Sequence, residues 1–321
     1  MRGESKISNI GDDKGPGEFV VPEKREVLSR KFLLKGRTIG VSISESDTLN
    51  ELGYGVAHLK DAMIEIVRYI LALGGKLAYG GDMRQGGFTE LMFDLLAYYK
   101  ADKELAPYER FHSYLAWPLS LNLKPEKEAE LRLNVTFKRV APPNDLSIVN
   151  TNEFLKPDSS ENLYVWSRCL TKMREEMELE CDARIFIGGR TKGFKGKYPG
   201  VLEELLIALT NNHPVYLVGA FGGVTKDAID ALSGLPSNLF LSESYSDSTD
   251  YRAMFDLYNS RHLNSPIDYN EYFSLLSKIE FKGLSEANGL TELENKRLAV
   301  TPHISEIVYL ILKGLTNRFT S

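Results

Sequence analysis

A chain of 321 residues, 43% hydrophobic and 26% charged, carries enough apolar material for one large or two ordinary globular domains. Its net charge of -5 argues against nonspecific nucleic-acid binding and against docking on an anionic membrane surface. No apolar run approaches the roughly 18 residues of a membrane span and no signal-peptide core opens the chain, so a cytoplasmic protein is expected.

Residues 1–34 are poor in large apolar side chains and mix Gly, Pro, Asp and Lys, the composition of a flexible tail or of an arm that docks on a neighbouring subunit. Order is expected from Lys35. Arg37–Ser44 alternates like a strand and leads into a polar loop, Glu45–Leu52. Val56, Leu59, Ala62, Met63, Ile66, Ile70 and Leu73 then recur at helical spacing until Gly74-Gly75 stops them. The next strand, Lys76–Tyr79, runs into Gly80-Gly81-Asp82-Met83-Arg84-Gln85-Gly86-Gly87, and a second helix follows over Phe88–Leu96. Further on, Phe111–Leu119 and Asn134–Val140 read as strands, separated by the charged run Lys124–Arg132, a solvated helix or loop.

Leu163–Glu180 predicts a helix with Val165, Leu170, Met173 and Met177 on its apolar side. Arg168 and Arg174 leave this helix in different directions, and ion pairs with Glu175 or Glu178 would account for each. The strand Ala183–Ile187 stops at Gly188-Gly189. After Pro199-Gly200 a helix carries Val201, Leu202, Leu205, Leu206, Ala208 and Leu209, and the strand Val215–Val218 runs on to Gly219 and Gly222-Gly223. This is a βαβ unit, whose loops lie at the carboxyl edge of a parallel sheet. Val224–Leu232 is another helix and Asn238–Leu241 a short strand. From Ser242 the chain is rich in Tyr, Asp, Ser and Asn. It ends in two clearer elements, a helix opened by Thr291 with Glu294 as its capping partner and an amphipathic helix through Ile304, Ile307, Val308, Leu310, Ile311 and Leu315.

Glycine-rich loops after two strands suggest a phosphate cradle, because a missing Cβ lets backbone N–H groups close on an anion and a helix N-terminus favours its charge. On one loop the candidates are Gly80, Gly81, Asp82, Arg84, Gly86 and Gly87, joined by the hydroxyls of Ser42 and Ser44. On the others they are Gly188, Gly189, Arg190, Gly200, Gly222 and Gly223. Glu203 and Glu204 stand in the first turn of a helix, where they either compensate its dipole or face a ribose. Adjacent helical side chains diverge by about 100°, so one of the two at most should face a ligand. The five histidines, His58, His112, His213, His262 and His303, have no metal-ligand spacing, and Cys169 and Cys181 form no CxxC pair. Neither a metal nor another cofactor is therefore expected, and no G-x-S-x-G elbow or G-x-x-x-x-G-K-[ST] loop occurs.

At these residues a family resemblance enters. Met173–Gly189 (MREEMELECDARIFIGG) followed by Pro199–Leu209 resembles the core signature of the lonely-guy phosphoribohydrolases, with Arg174 and Met177, Gly188 and Gly189, and Gly200 and Glu204 at matching positions. Tyr79–Met92 (YGGDMRQGGFTELM) resembles the same superfamily's Tyr-Gly-Gly-Gly loop. Ile187 stands in place of that family's proline, Val201 in place of its threonine, and Arg190–Pro199 is inserted. These departures move the resemblance to the wider SLOG superfamily, which includes nucleotide-sensing modules of TRPM channels and Thoeris defence effectors, and most to its prokaryotic TRPM-associated, LSDAT-type branch.

The resemblance implies an α/β fold, a Rossmann-like parallel sheet with helices on both faces, over residues 35–241. A C-terminal helical extension, 242–321, would pack on that core. It further implies a small-molecule partner, a nucleotide or ADP-ribose-like compound, and a homo-oligomer. A sensor would use the glycine loops and Arg84, Arg174 and Arg190 for phosphates, and Glu203 or Glu204 for a ribose diol. A metal-independent N-ribosyl hydrolase would use Arg174 and Glu204 in catalysis. A structural protein would leave the site vacant.

Overall fold

The computed structural model describes residues 33–81, 86–98, 110–148, 150–237 and 249–320. The expected strand at Asn238–Leu241 and nearly all of the expected tail lie outside the described residues. A six-stranded sheet organises the rest: β1 (Thr38–Ser44), β2 (Lys76–Gly80), β3 (Phe111–Ala116), β4 (Thr136–Val140), β5 (Ala183–Gly188) and β6 (Val215–Val218). The strands lie in the order β4-β3-β2-β1-β5-β6, and every neighbouring pair is parallel. The chain therefore runs outward from β1 to β4, then returns to the other side of β1 with β5. The resulting switch point lies between β1 and β5, where loops leave in opposite directions and a crevice opens at the carboxyl edge.

The helices are α1 (Val56–Ala72), α2 (Phe88–Tyr98), α3 (Pro125–Leu131), α4 (Ser160–Glu178), α5 (Gly200–Thr210), α6 (Gly223–Leu232), α7 (Thr249–Arg261), α8 (Tyr269–Asn288), α9 (Glu292–Val300) and α10 (Ile304–Phe319). Strand alternation divides them between two faces. Ile39, Val41 and Ile43 of β1 and Ile185 and Ile187 of β5 pack in one core with α1, α2 and α10. On the opposite face Phe186, Val215 and Leu217 join α5 and α6, while Ala78, Tyr114 and Ala116 join Leu170, Met173 and Met177 of α4. The fold is thus α/β and Rossmann-like, with helices on both faces and further helices at the C-terminus. No described helix is long and apolar enough to cross a membrane.

Several elements follow directly from local chemistry. Thr291 caps α9 and Glu294 returns the bond, with Thr291 N–H donating to Glu294 Oε2 at 2.9 Å. The run Lys124–Arg132 contains the short helix α3, opened by Pro125 at its first position. By contrast, α7 and α8 do not stand out in the sequence. The stripe that α7 buries is only Tyr251, Met254 and Tyr258, too narrow to be told from a polar loop rich in tyrosine.

The loops after β1, β5 and β6 are stitched to one another. Gly189 N–H donates to Ser44 O at 3.0 Å, and Val224 N–H donates to Gly189 O at 3.0 Å. Arg190 N–H and Thr191 N–H donate to Ser44 Oγ at 3.0 Å and Asp47 Oδ2 at 2.8 Å. Gly188 has φ +64°, and a Cβ there would stand 2.6 Å from Ser44 O. Both the left-handed backbone and the close approach require glycine. Gly188→Ala is therefore expected to lower unfolding free energy by roughly 2–4 kcal/mol in urea titration. An unchanged midpoint there would show that these loops do not depend on that approach.

Candidate functional site

A cavity of about 290 Å³ opens at the carboxyl edge beside the switch point, over the ends of β1 and β2 and the start of α5. Of the residues expected at a site, Ser42, Ser44, Gly80, Gly81, Gly86, Gly87, Arg174, Arg190, Gly200 and Glu204 line it. They come from stretches far apart in sequence. Gly188, Gly189, Glu203, Gly222 and Gly223 do not line it, and Asp82 and Arg84 lie outside the described residues. The remaining wall is chiefly apolar, with Phe88, Ala116, Leu119, Leu170, Met173 and Val201. This combination of a few convergent polar groups and an apolar wall suits an organic molecule that carries charge at one end.

The four glycines away from the cavity make room for the protein itself. A Cβ on Gly189 would meet Val224 Cβ at 2.7 Å, one on Gly222 would meet Thr48 Oγ1 at 2.5 Å, and one on Gly223 would meet Gly189 O at 2.2 Å. Gly188 is closed off by Ser44 O in the same way.

Beneath the cavity, a set of charges is held out of water between the sheet and helices α4 and α5. Arg184 points from the middle of β5 toward this layer and is wholly buried. Its Nη1 donates to Glu178 Oε2 at 2.7 Å, and its Nη2 donates to Ser42 Oγ at 2.5 Å and to Glu204 Oε2. Ser42 Oγ in turn donates to the same Glu204 oxygen at 2.6 Å. Arg174 Nη1 donates to Glu203 Oε2, whose other oxygen accepts from Thr171 Oγ1 at 2.5 Å. Lys197 Nζ lies 3.8 Å from Glu203, and His213 Nδ1 lies 2.7 Å from Glu178. Burial pulls the Lys197 ammonium downward more than any one neighbour raises it, but Glu203, Tyr258, Tyr272 and Glu175 together outweigh it and its pKa stands above the ordinary value.

The in-helix ion pairs expected for Arg168 and Arg174 are replaced by pairs between elements. Arg174 reaches Glu203 on α5, and Arg168 grips Asp145 in a loop with two hydrogen bonds of 3.0 and 2.8 Å. The reason is packing: the face of α4 that carries Arg174 lies against α5 and its Glu203, while Glu178, one turn away on α4, is taken by Arg184. Adjacent Glu203 and Glu204 do diverge, as helical geometry requires. Glu204 lines the cavity and Glu203 turns toward Thr171 and Lys197.

Sequence reasoning did not place Arg184, Lys197 or His213 in this cluster, and it gave Glu178 only as a partner for Arg168 or Arg174. The one available signal was a lone charge in the centre of an otherwise apolar strand. Two features bear on ligand chemistry. Arg174 Nε is buried without a hydrogen-bond partner, 3.6 Å from Glu204 Oε1. Arg190 lines the cavity with no carboxylate partner among the described residues. Neither Cys169 nor Cys181 lines the cavity, and burial pushes both thiols up to about 12. Among the described residues, no three acidic, histidine or cysteine side chains converge as a metal site.

The fold and the placement of the cavity define an open α/β protein with its crevice at the switch point of a parallel sheet. The chain belongs to the SLOG cluster2 family, whose model matches residues 33–298. Membership of the SLOG superfamily follows from this match. No curated protein matches the chain.

Removing the guanidinium while leaving its partner should be costly, because Glu203 would then be buried beside Lys197 alone. Arg174→Met is expected to destabilise the fold by about 3 kcal/mol in chemical denaturation. Adding Glu203→Gln should recover part of that loss, giving a coupling energy above about 1 kcal/mol in the double-mutant cycle. Strict additivity would mean that the two side chains do not act as a pair.

Proposed function

We propose that this chain binds a nucleotide or an ADP-ribose-like, NAD-derived ligand in the switch-point cavity and acts as a sensor or signalling module, of the prokaryotic TRPM-associated (LSDAT-type) branch and linked to bacterial defence. The observation that carries the reading is the pairing of two unfilled valences at one place. Arg174 Nε is a buried donor with no acceptor, and Glu204 Oε1 beside it receives no hydrogen bond from any described residue. A donor and an acceptor side by side match the needs of a sugar, whose hydroxyls both donate and accept. Arg190 supplies a cation and Gly86, beside which a Cβ would meet nothing within 4 Å, close-approach surface for phosphate, and the wall at Leu119, Leu170 and Met173 suits a base.

In this assignment Ser42, Ser44, Gly80, Gly81, Gly86, Gly87, Arg174, Arg190, Gly200 and Glu204 touch the ligand, and Asp82 and Arg84, outside the described residues, are assigned to it from their place in the sequence motif alone. Gly188, Gly189, Gly222 and Gly223 shape the floor, and Glu203 holds Arg174. Residues 35–241 are assigned as the binding domain and 242–321 as its extension, in a chain that forms a homo-oligomer.

A second reading has support from one observation, the placement of both Arg174 and Glu204 on the cavity. They occupy the positions at which the chain resembles the lonely-guy motif. An N-ribosyl hydrolase would use the Glu204 carboxylate against the cationic sugar that develops during C–N cleavage, with Arg174 orienting the substrate. Val201 on the cavity wall, where that motif has threonine, and the inserted Arg190–Pro199 favour sensing over turnover.

The test is a thermal-shift panel of nucleoside monophosphates, ADP-ribose, cyclic ADP-ribose isomers and NAD, with product analysis of every hit. A ligand at a hundred times its dissociation constant should stabilise the fold by roughly 2.7 kcal/mol. Stabilisation without turnover supports the sensor, and release of free base supports the hydrolase. Silence from every compound would leave a protein with a vacant site. Glu204→Gln separates the two readings further. In a sensor it should weaken binding by about 1–3 kcal/mol, whereas in a hydrolase turnover should fall by about a hundredfold with little change in affinity.

A further inference from the structure

The charge beneath the cavity has no role in the readings above, yet its geometry bears directly on Glu204. Arg184 and Ser42 both donate to Glu204 Oε2, so that oxygen is occupied from below. Oε1 is the atom left for the cavity. Arg184 is itself held from its far side by Glu178 at 2.7 Å, and Glu178 is backed by His213 at 2.7 Å. On the neighbouring strand the residue in register with Arg184 is Gly40. A Cβ on Gly40 would stand 2.3 Å from Arg184 Cδ, so the absence of a side chain there makes the slot in which the arginine lies.

A wholly buried arginine between two carboxylates is an expensive way to fill a core. Apolar side chains of similar volume generally serve stability as well or better. What the ions provide instead is orientation: a planar guanidinium bonded to Ser42 and both glutamates allows few other arrangements of Glu204. We propose that Arg184 is a positioning residue, which pins Glu204 Oε2 so that Oε1 faces the sugar of a bound ribose-bearing phosphate, and that Gly40 provides its slot. This inference rests on the reading in which Glu204 faces ribose.

The experiment compares two probes on the full chain, ADP-ribose and inorganic pyrophosphate, by calorimetry on the parent, Arg184→Lys and Gly40→Ala. Lysine keeps the buried charge but cannot hold both carboxylates in one plane, and alanine pushes the arginine aside without touching its charge. Each variant should lose affinity for ADP-ribose by about tenfold or more, the scale of one charge-assisted hydrogen bond, while pyrophosphate binding stays within about twofold. A merely structural arginine would lower both affinities together, along with the melting temperature. Parallel loss or no loss overturns the positioning role, even where ADP-ribose binding by the parent upholds the site. If the parent itself binds neither probe, the ribose reading fails and the inference falls with it. Should Arg184→Lys fail to fold, Gly40→Ala decides alone.

Discussion

The structure depends on keeping a cluster of charges out of water between the sheet and two helices. Arg174, Arg184, Glu178, Glu203 and Glu204 are all buried in a single layer, with Lys197 and His213 at its ends. Moving one such ion from water costs several kcal/mol even after relaxation, so the layer holds only if each charge finds its counterpart at hydrogen-bond distance. That requirement fixes the spacing between α4 and α5, which supply opposite partners, and it fixes the register of β5 against β1. A slip of one residue would turn Arg184 into the apolar core on the other face. The cluster is therefore both a product of the fold and a constraint that excludes neighbouring folds.

The same layer explains why the cavity is polar below and apolar around. At the carboxyl edge the sheet offers side chains of one face only, and β1 places Ser42 and Ser44 there because its alternate residues Ile39, Val41 and Ile43 are committed to the opposite core. Helix α4 contributes both kinds of surface. Arg174 belongs to the ionic layer while Leu170 and Met173 form wall, positions that a helical repeat sets side by side. Among the described residues, a ligand entering the cavity would meet charge at Arg174, Arg190, Glu204 and Glu45, because Arg184, Glu178 and Glu203 lie beneath.

Much of this was legible in the sequence, and what was not has a physical cause. The strands and the helices around the βαβ unit could be read because apolar spacing and glycine stops are local properties. Helices α7 and α8 could not, since each meets the core along a thin stripe and their tyrosines resemble loop residues. In the site, the glycines around Tyr79 and the pair Arg174 and Glu204 were found by motif, and they line one cavity. Gly188, Gly189, Gly222 and Gly223 carry the same one-letter signal, but the space beside each is filled by Ser44, Val224, Thr48 or Gly189, and even on the cavity a Cβ at Gly81 would meet Tyr79 at 2.2 Å while Gly86 has nothing within 4 Å. Sequence alone does not tell a glycine that admits a ligand from one that admits its own chain. Arg184 was hidden for a related reason, because its partner Gly40 is found only once strand register is known.

The segment Arg190–Pro199 joins the loop after β5 to helix α5 and is held at both ends. At its start it is tied to the loop after β1 through Ser44 and Asp47. At its end Tyr198 is buried against the rings of Tyr269 and Tyr272, with centroids 4.9 and 4.8 Å away, and its hydroxyl accepts from Asp268 N–H at 2.8 Å. Tyr251 donates to Lys197 O at 2.7 Å. Closing a longer loop costs little extra entropy, since the cost grows only logarithmically with length, and burial of one tyrosine can offset it. The return of the chain then sets Gly200 close to Arg174, where a Cβ would lie 2.9 Å from its Nη2. Helix α5 thus begins where it must for Glu203 and Glu204 to meet the two arginines, and the C-terminal helices that hold Tyr198 become part of what shapes the cavity.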